Sequence, residues 1–234
     1  MVPCRSSRCM EPTIHPYLKP LQRLFESEAD ERIAIGQRAY MKGNFDFYGI
    51  KTPHRRQLIR VFLEEHGRPA HDLMAAICRS AWGQPQREFQ YTAMELFTHA
   101  AKTHGPQELL LAEELILRKS WWDTVDHLAV HGVGKILLHN RGSMVATNRH
   151  YMESGQLWLQ RTALIFQLRY KEGTDRKLLF DNVRKLADHK DFFIRKAIGW
   201  ALRQYAYVDK HAVIGLLRTV ELSPLSVREA LKHA

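Results

Sequence analysis

The sequence predicts an all-α chain: an α-solenoid of about six two-helix repeats with a concave basic face. Three observations lead there. Apolar residues recur at helical spacing through nearly the whole chain, and no segment alternates convincingly as a strand. Pro and Gly punctuate the pattern, as in "GRPA", "THGP" and "KEGTD", giving helix, short turn, helix. Third, the chain aligns with itself at a nearly constant step.

Helices are expected over 17–26, 29–41, 54–65, 106–118, 121–138, 156–170, 175–188, 191–206 and 209–220. The stretch 139–156, "HNRGSMVATNRHYMESGQ", reads as a connecting loop. Residues 1–12, holding Cys4 and Cys9, read as a flexible extension, and 13–234 as a single domain.

The repeat shows in "HRRQLIRVFL", "FQYTAMELFT", "TVDHLAVHGV", "LQRTALIFQL", "FIRKAIGWAL" and "SVREALKHA". Each carries a small or aliphatic pair: Leu58-Ile59, Ala93-Met94, Leu128-Ala129, Ala163-Leu164, Ala197-Ile198 and Ala230-Leu231. The first members lie 35, 35, 35, 34 and 33 residues apart, a length that holds two helices stacked on their neighbours. Two residues before each pair stand Arg56, Tyr91, Asp126, Arg161, Arg195 and Arg228. Arginines at one register on successive helices suit a phosphate backbone. A solvated outer face is the alternative use of the same residues.

Composition agrees. Lys and Arg number 35 against 25 Asp and Glu, a formal net charge of +10 that favours a polyanionic partner, nucleic acid ahead of an acidic membrane surface. Three cysteines make neither a disulfide framework nor a metal cluster. His127 and His131 lie one helical turn apart without an evident third ligand, so no metal and no cofactor are expected. No apolar run approaches membrane-spanning length and no signal peptide is apparent, pointing to a cytoplasmic protein.

An acid in a column of arginines needs explaining. Asp123 has a local explanation, because Ser120-x-x-Asp123 matches a capping box. Trp121 shares the apolar stripe with Val125, Leu128 and Gly132. Trp122 lies four residues before Asp126 and shares its face, which leaves one acid and one aromatic together on the basic column. Asp126 either carries chemistry or pairs with Arg161 across adjacent repeats; spacing leaves both open.

The segments "RAYMKGNFDFYGIKTPHRRQLI", "KSWWDTVD", "LWLQRTALIFQLRYK", "DFFIRKAIGWALRQYA" and "ELSPLSVREALKH" resemble, in order, the AlkD-type alkylpurine DNA glycosylases, built of HEAT-like repeats. The resemblance runs from about His15 to the C-terminus. It implies a monomeric enzyme, nucleoid-associated through its DNA, that removes cationic N3- and N7-alkylated purines from double-stranded DNA. It puts Asp126 on the catalytic aspartate, Trp122 and Trp200 on the cleft tryptophans, Arg161 on a lesion-side backbone contact and Tyr40 on an aromatic near the lesion. Thr52, Arg56, Arg195, Arg203 and Arg228 become backbone contacts. A related subfamily lacks the tryptophan and aspartate of the catalytic helix; this chain keeps both. Without the resemblance Trp200 reads as core, in register with Val61, Leu96, His131, Phe166 and His233. Two other readings need neither Asp126 nor Trp122: a non-catalytic protein recognising damaged or branched duplexes, and a scaffold for an acidic protein or peptide.

Overall fold

The computed structural model describes residues 14–232, so the extension with Cys4 and Cys9, and His233 at the other end, lie outside the described residues. Those described are helical throughout apart from turns and one isolated bridge between Asp46 and Gln86, in keeping with the all-α repeat fold the sequence predicts. The chain divides into two compact units, Met1–Leu96 and Phe97–Ala234, the division falling inside one helix.

Unit 1 holds α1 (Lys19–Ser27), α2 (Glu31–Tyr40), α3 (Thr52–His66), α4 (His71–Gly83) and most of α5 (Arg87–Ala100). Pro20 and Pro53 open α1 and α3, where the missing N–H costs nothing. Asp30 caps α2 through the amides of Arg32 and Ile33. Buried Phe25, Phe62 and Phe89 form its centre. The buried Glu88 carboxylate accepts the amides of Tyr48, Gly49 and Ile50, pinning the approach to α3.

Unit 2 contains α6 (Glu108–Leu117), α7 (Trp122–His127), a π-helical turn (Leu128–Val133) running into α8 (Gly134–His139), and then α9 (Arg141–Glu153) and α10 (Leu157–Ile165). It closes with α11 (Arg176–Lys185), α12 (Phe192–Ala206), α13 (Lys210–Thr219) and α14 (Pro224–Ala230). Asp175, Asp191, Asp209 and Ser223 each accept a main-chain amide at a helix start, so the polar residues that end one turn begin the next helix. α10 sits at the centre, against α6, α7, α9, α11 and α12, and α12 packs on α13 and α14. The repeated pairs do what their spacing implied: Ala93-Met94, Leu128-Ala129, Ala163-Leu164 and Ala197-Ile198 are all buried. At the ends the pattern loosens, and Leu231 is exposed.

Four local expectations are corrected. The stretch 139–156 is no loop: α9 occupies most of it, burying Met144, Asn148, Tyr151 and Met152 at helical spacing. Its polar residues hid that stripe, because buried Asn148 bonds Asn182 of α11 in both directions instead of facing water. α4 and α5 are likewise continuous helices that the periodicity did not single out. Ser120 does not cap α7. Its hydroxyl turns back to the Ile116 carbonyl at the end of α6, and extended Trp121 leads into α7 with no side-chain cap. Finally, 121–138 is not one regular helix, since the π turn interrupts it, and α10 ends at Ile165 rather than 170.

Close approach at α8 and α12 depends on missing side chains. A Cβ on Gly134 would meet the Phe166 carbonyl oxygen at 2.3 Å, and one on Gly199 would meet the Cβ of Glu229 at 2.4 Å. In each case the obstacle is rigid helix rather than a flexible tip. Gly134→Ala is therefore expected to lower unfolding stability by about 2–4 kcal/mol in chemical denaturation, as overpacking against backbone does.

Candidate functional site

The α7 helix faces the core through Thr124 and Val125, and the π turn after it through Leu128 and Ala129. That orientation leaves Asp126 on a different face, where its side chain keeps 17 % exposure. Across from it on α10 stands Arg161, placed there by the next repeat. Its Nε donates to Asp126 Oδ1 and its Nη2 to Oδ2, both at 2.7 Å, a two-pronged pair. Nη1 donates to the Phe193 carbonyl at the start of α12. The guanidinium also lies over the Phe193 ring at 5.8 Å, and that ring packs on Trp121 at 5.3 Å and Trp158 at 4.9 Å. Arg161 is thus buried and fixed from three helices, and it fixes Asp126 in turn.

Two opposing effects act on the carboxyl group. Burial pushes the Asp126 pKa above the usual aspartate value, and the Arg161 hydrogen bonds and charge pull it back down. Asp123 adds a small push upward. The result is a carboxyl group whose charge is penalised by burial and favoured by a single cation bonded to both of its oxygens.

Beside Asp126 opens a cleft of about 640 Å³, wholly within unit 2. Trp200 of α12 lines it with Asp126, as do His131 on the π turn, Gln204, Arg169 and Lys171. The last two come from the turn that follows α10, which is tied at several points. The Gln167 side chain brackets the main chain of Asp175 through both its amide atoms. The Tyr170 hydroxyl donates to the Gly134 carbonyl at 2.5 Å, and Arg141, the first residue of α9, donates to the Gly173 carbonyl while stacking over the Tyr170 ring at 4.8 Å. Lys171 adopts a left-handed backbone, φ 51°, uncommon for a residue with a side chain. The segment read as a divergent loop therefore supports one wall of the cleft.

The expected site residues divide as follows. Asp126 and Trp200 meet in the cleft, Arg161 lies behind Asp126, and Trp122 opens α7 one turn earlier, half-buried. Arg195 is half-buried, Arg203 lies 3.4 Å from Glu229, and Arg228 is exposed. Tyr40, 70 % exposed, belongs to unit 1, as do exposed Thr52 at the start of α3 and Arg56, which reaches Glu95 at 3.3 Å. His131, Arg169, Lys171 and Gln204 were not anticipated. In the sequence His131 stood only in the core-like register of Trp200 and one turn from His127, a pair without a third ligand.

Removing Arg161 strands a mostly buried carboxylate. Arg161→Leu is expected to cost about 3 kcal/mol of stability. It is also expected to raise the Asp126 pKa further, followed by carbon-13 NMR titration of the carboxyl group.

The sequence signature of the family described as "DNA alkylation repair enzyme" matches residues 21–234. Among solved structures, a "Predicted DNA alkylation repair enzyme from Enterococcus faecalis" superposes with a TM-score of 0.82 at 29 % identity, covering 88 % of this chain and 96 % of that one. No curated protein matches the chain. No helix among the described residues is long and apolar enough to cross a membrane. A signature spanning nearly the whole sequence, on a fold shared with that structure, places the chain in the DNA alkylation repair enzyme family.

Proposed function

We propose that the chain is a DNA glycosylase that hydrolyses the N-glycosidic bond of cationic N3- or N7-alkylated purines in double-stranded DNA, with Asp126 as its catalytic carboxylate. The observation that carries this reading is a single arginine-held carboxylate opening into a cleft beside a tryptophan, in a chain of this family.

The chemistry fits one carboxylate. Ordinary glycoside hydrolysis uses two, one of them as an acid on the leaving group. Alkylation at N3 or N7 already gives the purine a positive charge, so the base departs with the bonding electrons and needs no proton from the protein. What remains is the positive charge that develops on the sugar. A fixed anion opposes that charge without reorganising, which is where electrostatic preorganisation counts most. Trp200 in the cleft and Trp122 one turn from Asp126 offer ring faces to a cationic sugar or base, worth about 0.5–2 kcal/mol each. No step calls on a metal or cofactor.

Arg161 serves in this scheme by holding Asp126, to which it commits two of its five N–H donors, with a third on the Phe193 carbonyl. The phosphate grip falls to Arg195, Arg203 and Arg228, with Thr52 and Arg56 from unit 1 and Tyr40 as an aromatic contact near the lesion. The +10 net charge supports that assignment. Residues 13–234 work as one domain and one copy suffices, in the cytoplasm, associated with the nucleoid through the DNA. Recognition runs through backbone and sugar, so bulky N7 adducts are tolerated.

Incubation with a duplex carrying one 7-methylguanine is expected to release the base and leave an apurinic site. Asp126→Asn is expected to slow single-turnover release at least 100-fold while changing duplex Kd less than about threefold; equal rates would remove the catalytic assignment. Because burial raises the Asp126 pKa, the carboxylate is lost on acidification at a higher pH than an ordinary aspartate, so the acid limb is expected above the range in which ordinary aspartates titrate.

A further inference from the structure

The glycosidic reaction leaves one proton unaccounted for. Water must lose it on attacking the sugar carbon, and Asp126 is poorly suited to take it. Both of its oxygens already accept from Arg161 at 2.7 Å, which fixes the carboxylate's orientation and occupies a lone pair on each oxygen. A second acceptor in the same cleft would complete the chemistry.

We propose that His131 takes the proton of the attacking water, with Asp126 as the fixed counter-charge; the inference rests on the glycosylase reading above. His131 lines the same cleft as Asp126 and Trp200. It comes there through the π turn. In a regular helix the residue five positions after Asp126 faces well away from it, whereas the wider turn of i→i+5 bonding, seen in the Gly134 amide to Ala129 carbonyl bond, brings residues five apart back toward one side. Such turns recur at functional sites because they re-aim a side chain at the cost of helix regularity.

The imidazole is also available. Among the described residues no protein group hydrogen-bonds its ring nitrogens, and the His127 ring lies against it at 4.5 Å. His127 is itself anchored, with Nε2 3.1 Å from the Thr98 hydroxyl. The charged and titratable groups around His131 are Asp126 and His127 on α7, Lys135 on α8, and Arg169 and Lys171 on the turn after α10. Burial, then Arg169 and Lys135, push the His131 pKa below its usual value, so the ring is neutral and able to accept at neutral pH.

The balance is complete. A water O–H bond breaks and its proton goes to a His131 ring nitrogen as the oxygen bonds to the sugar carbon. The carbon–nitrogen bond to the base breaks, and its electron pair neutralises the cationic purine. His131 then returns the proton to solvent.

The test is single-turnover release of 7-methylguanine from a duplex between pH 5 and 9. His131→Gln is expected to lower the rate at neutral pH about 10- to 100-fold, within the range of general-base catalysis, with duplex Kd changed less than about threefold. The acid fall of rate toward pH 5, which in the parent follows protonation of the His131 ring, is expected to flatten in His131→Gln. In His131→Ala, added imidazole is expected to restore rate in proportion to its concentration, which a purely structural defect would not allow. Parent-like rate and pH profile in His131→Gln, or no rescue by imidazole, overturns the proposal while leaving the glycosylase intact. No base release by the parent chain overturns the glycosylase reading and this inference together.

Discussion

The two-pronged bond between Arg161 and Asp126 is the constraint on which the rest of unit 2 turns. It joins successive repeats at equivalent register, and its geometry is set by three helices at once, because Arg161 reaches α7 through Asp126 and α12 through the Phe193 carbonyl. A carboxylate in this degree of burial would shed its charge if left alone. The guanidinium favours its charged form and also keeps it still. A contact that could pass for repeat-to-repeat cement is therefore what makes an anion available to a cleft in a strongly basic chain.

The helix carrying Asp126 is irregular where it matters. After one regular turn it widens into the π turn, and Gly134 then lets it run close under the Phe166 carbonyl. The Tyr170 hydroxyl reaches the Gly134 carbonyl from the same neighbouring turn, so the widened helix and the clamped turn brace each other. One side of the cleft thereby gains Asp126 and His131 and another gains Arg169 and Lys171. In the proposed function the exposed cations Arg169 and Lys171 meet phosphate while the anion opposes a cationic lesion, a division of labour that a uniformly basic face could not provide.

Much of this was legible before any coordinates. The spacing of the small-aliphatic pairs identified the repeat, and four of the six pairs are wholly buried. The register two residues ahead of them put Asp126 and Arg161 together as one of two open readings, and they are bonded. What stayed hidden had physical causes. α9 escaped because buried Asn148 satisfies its amide on Asn182, so polarity did not mean exposure there. Ser120 matched a capping box by spacing, yet the carbonyl at the end of α6 competed for its hydroxyl and won. His131 looked like core because its register was read on a regular helix, and the π turn changes the face on which it emerges.

The idea that Asp126 acts by opposing positive charge on the sugar can be separated from every question of proton transfer. A duplex carrying a pyrrolidine in place of one abasic sugar presents a stable cation there, and one carrying tetrahydrofuran presents the same shape uncharged. The parent chain is predicted to bind the cationic duplex at least tenfold more tightly than the neutral one, and Asp126→Asn to lose that preference. Equal affinity of the parent for the two duplexes would contradict the account.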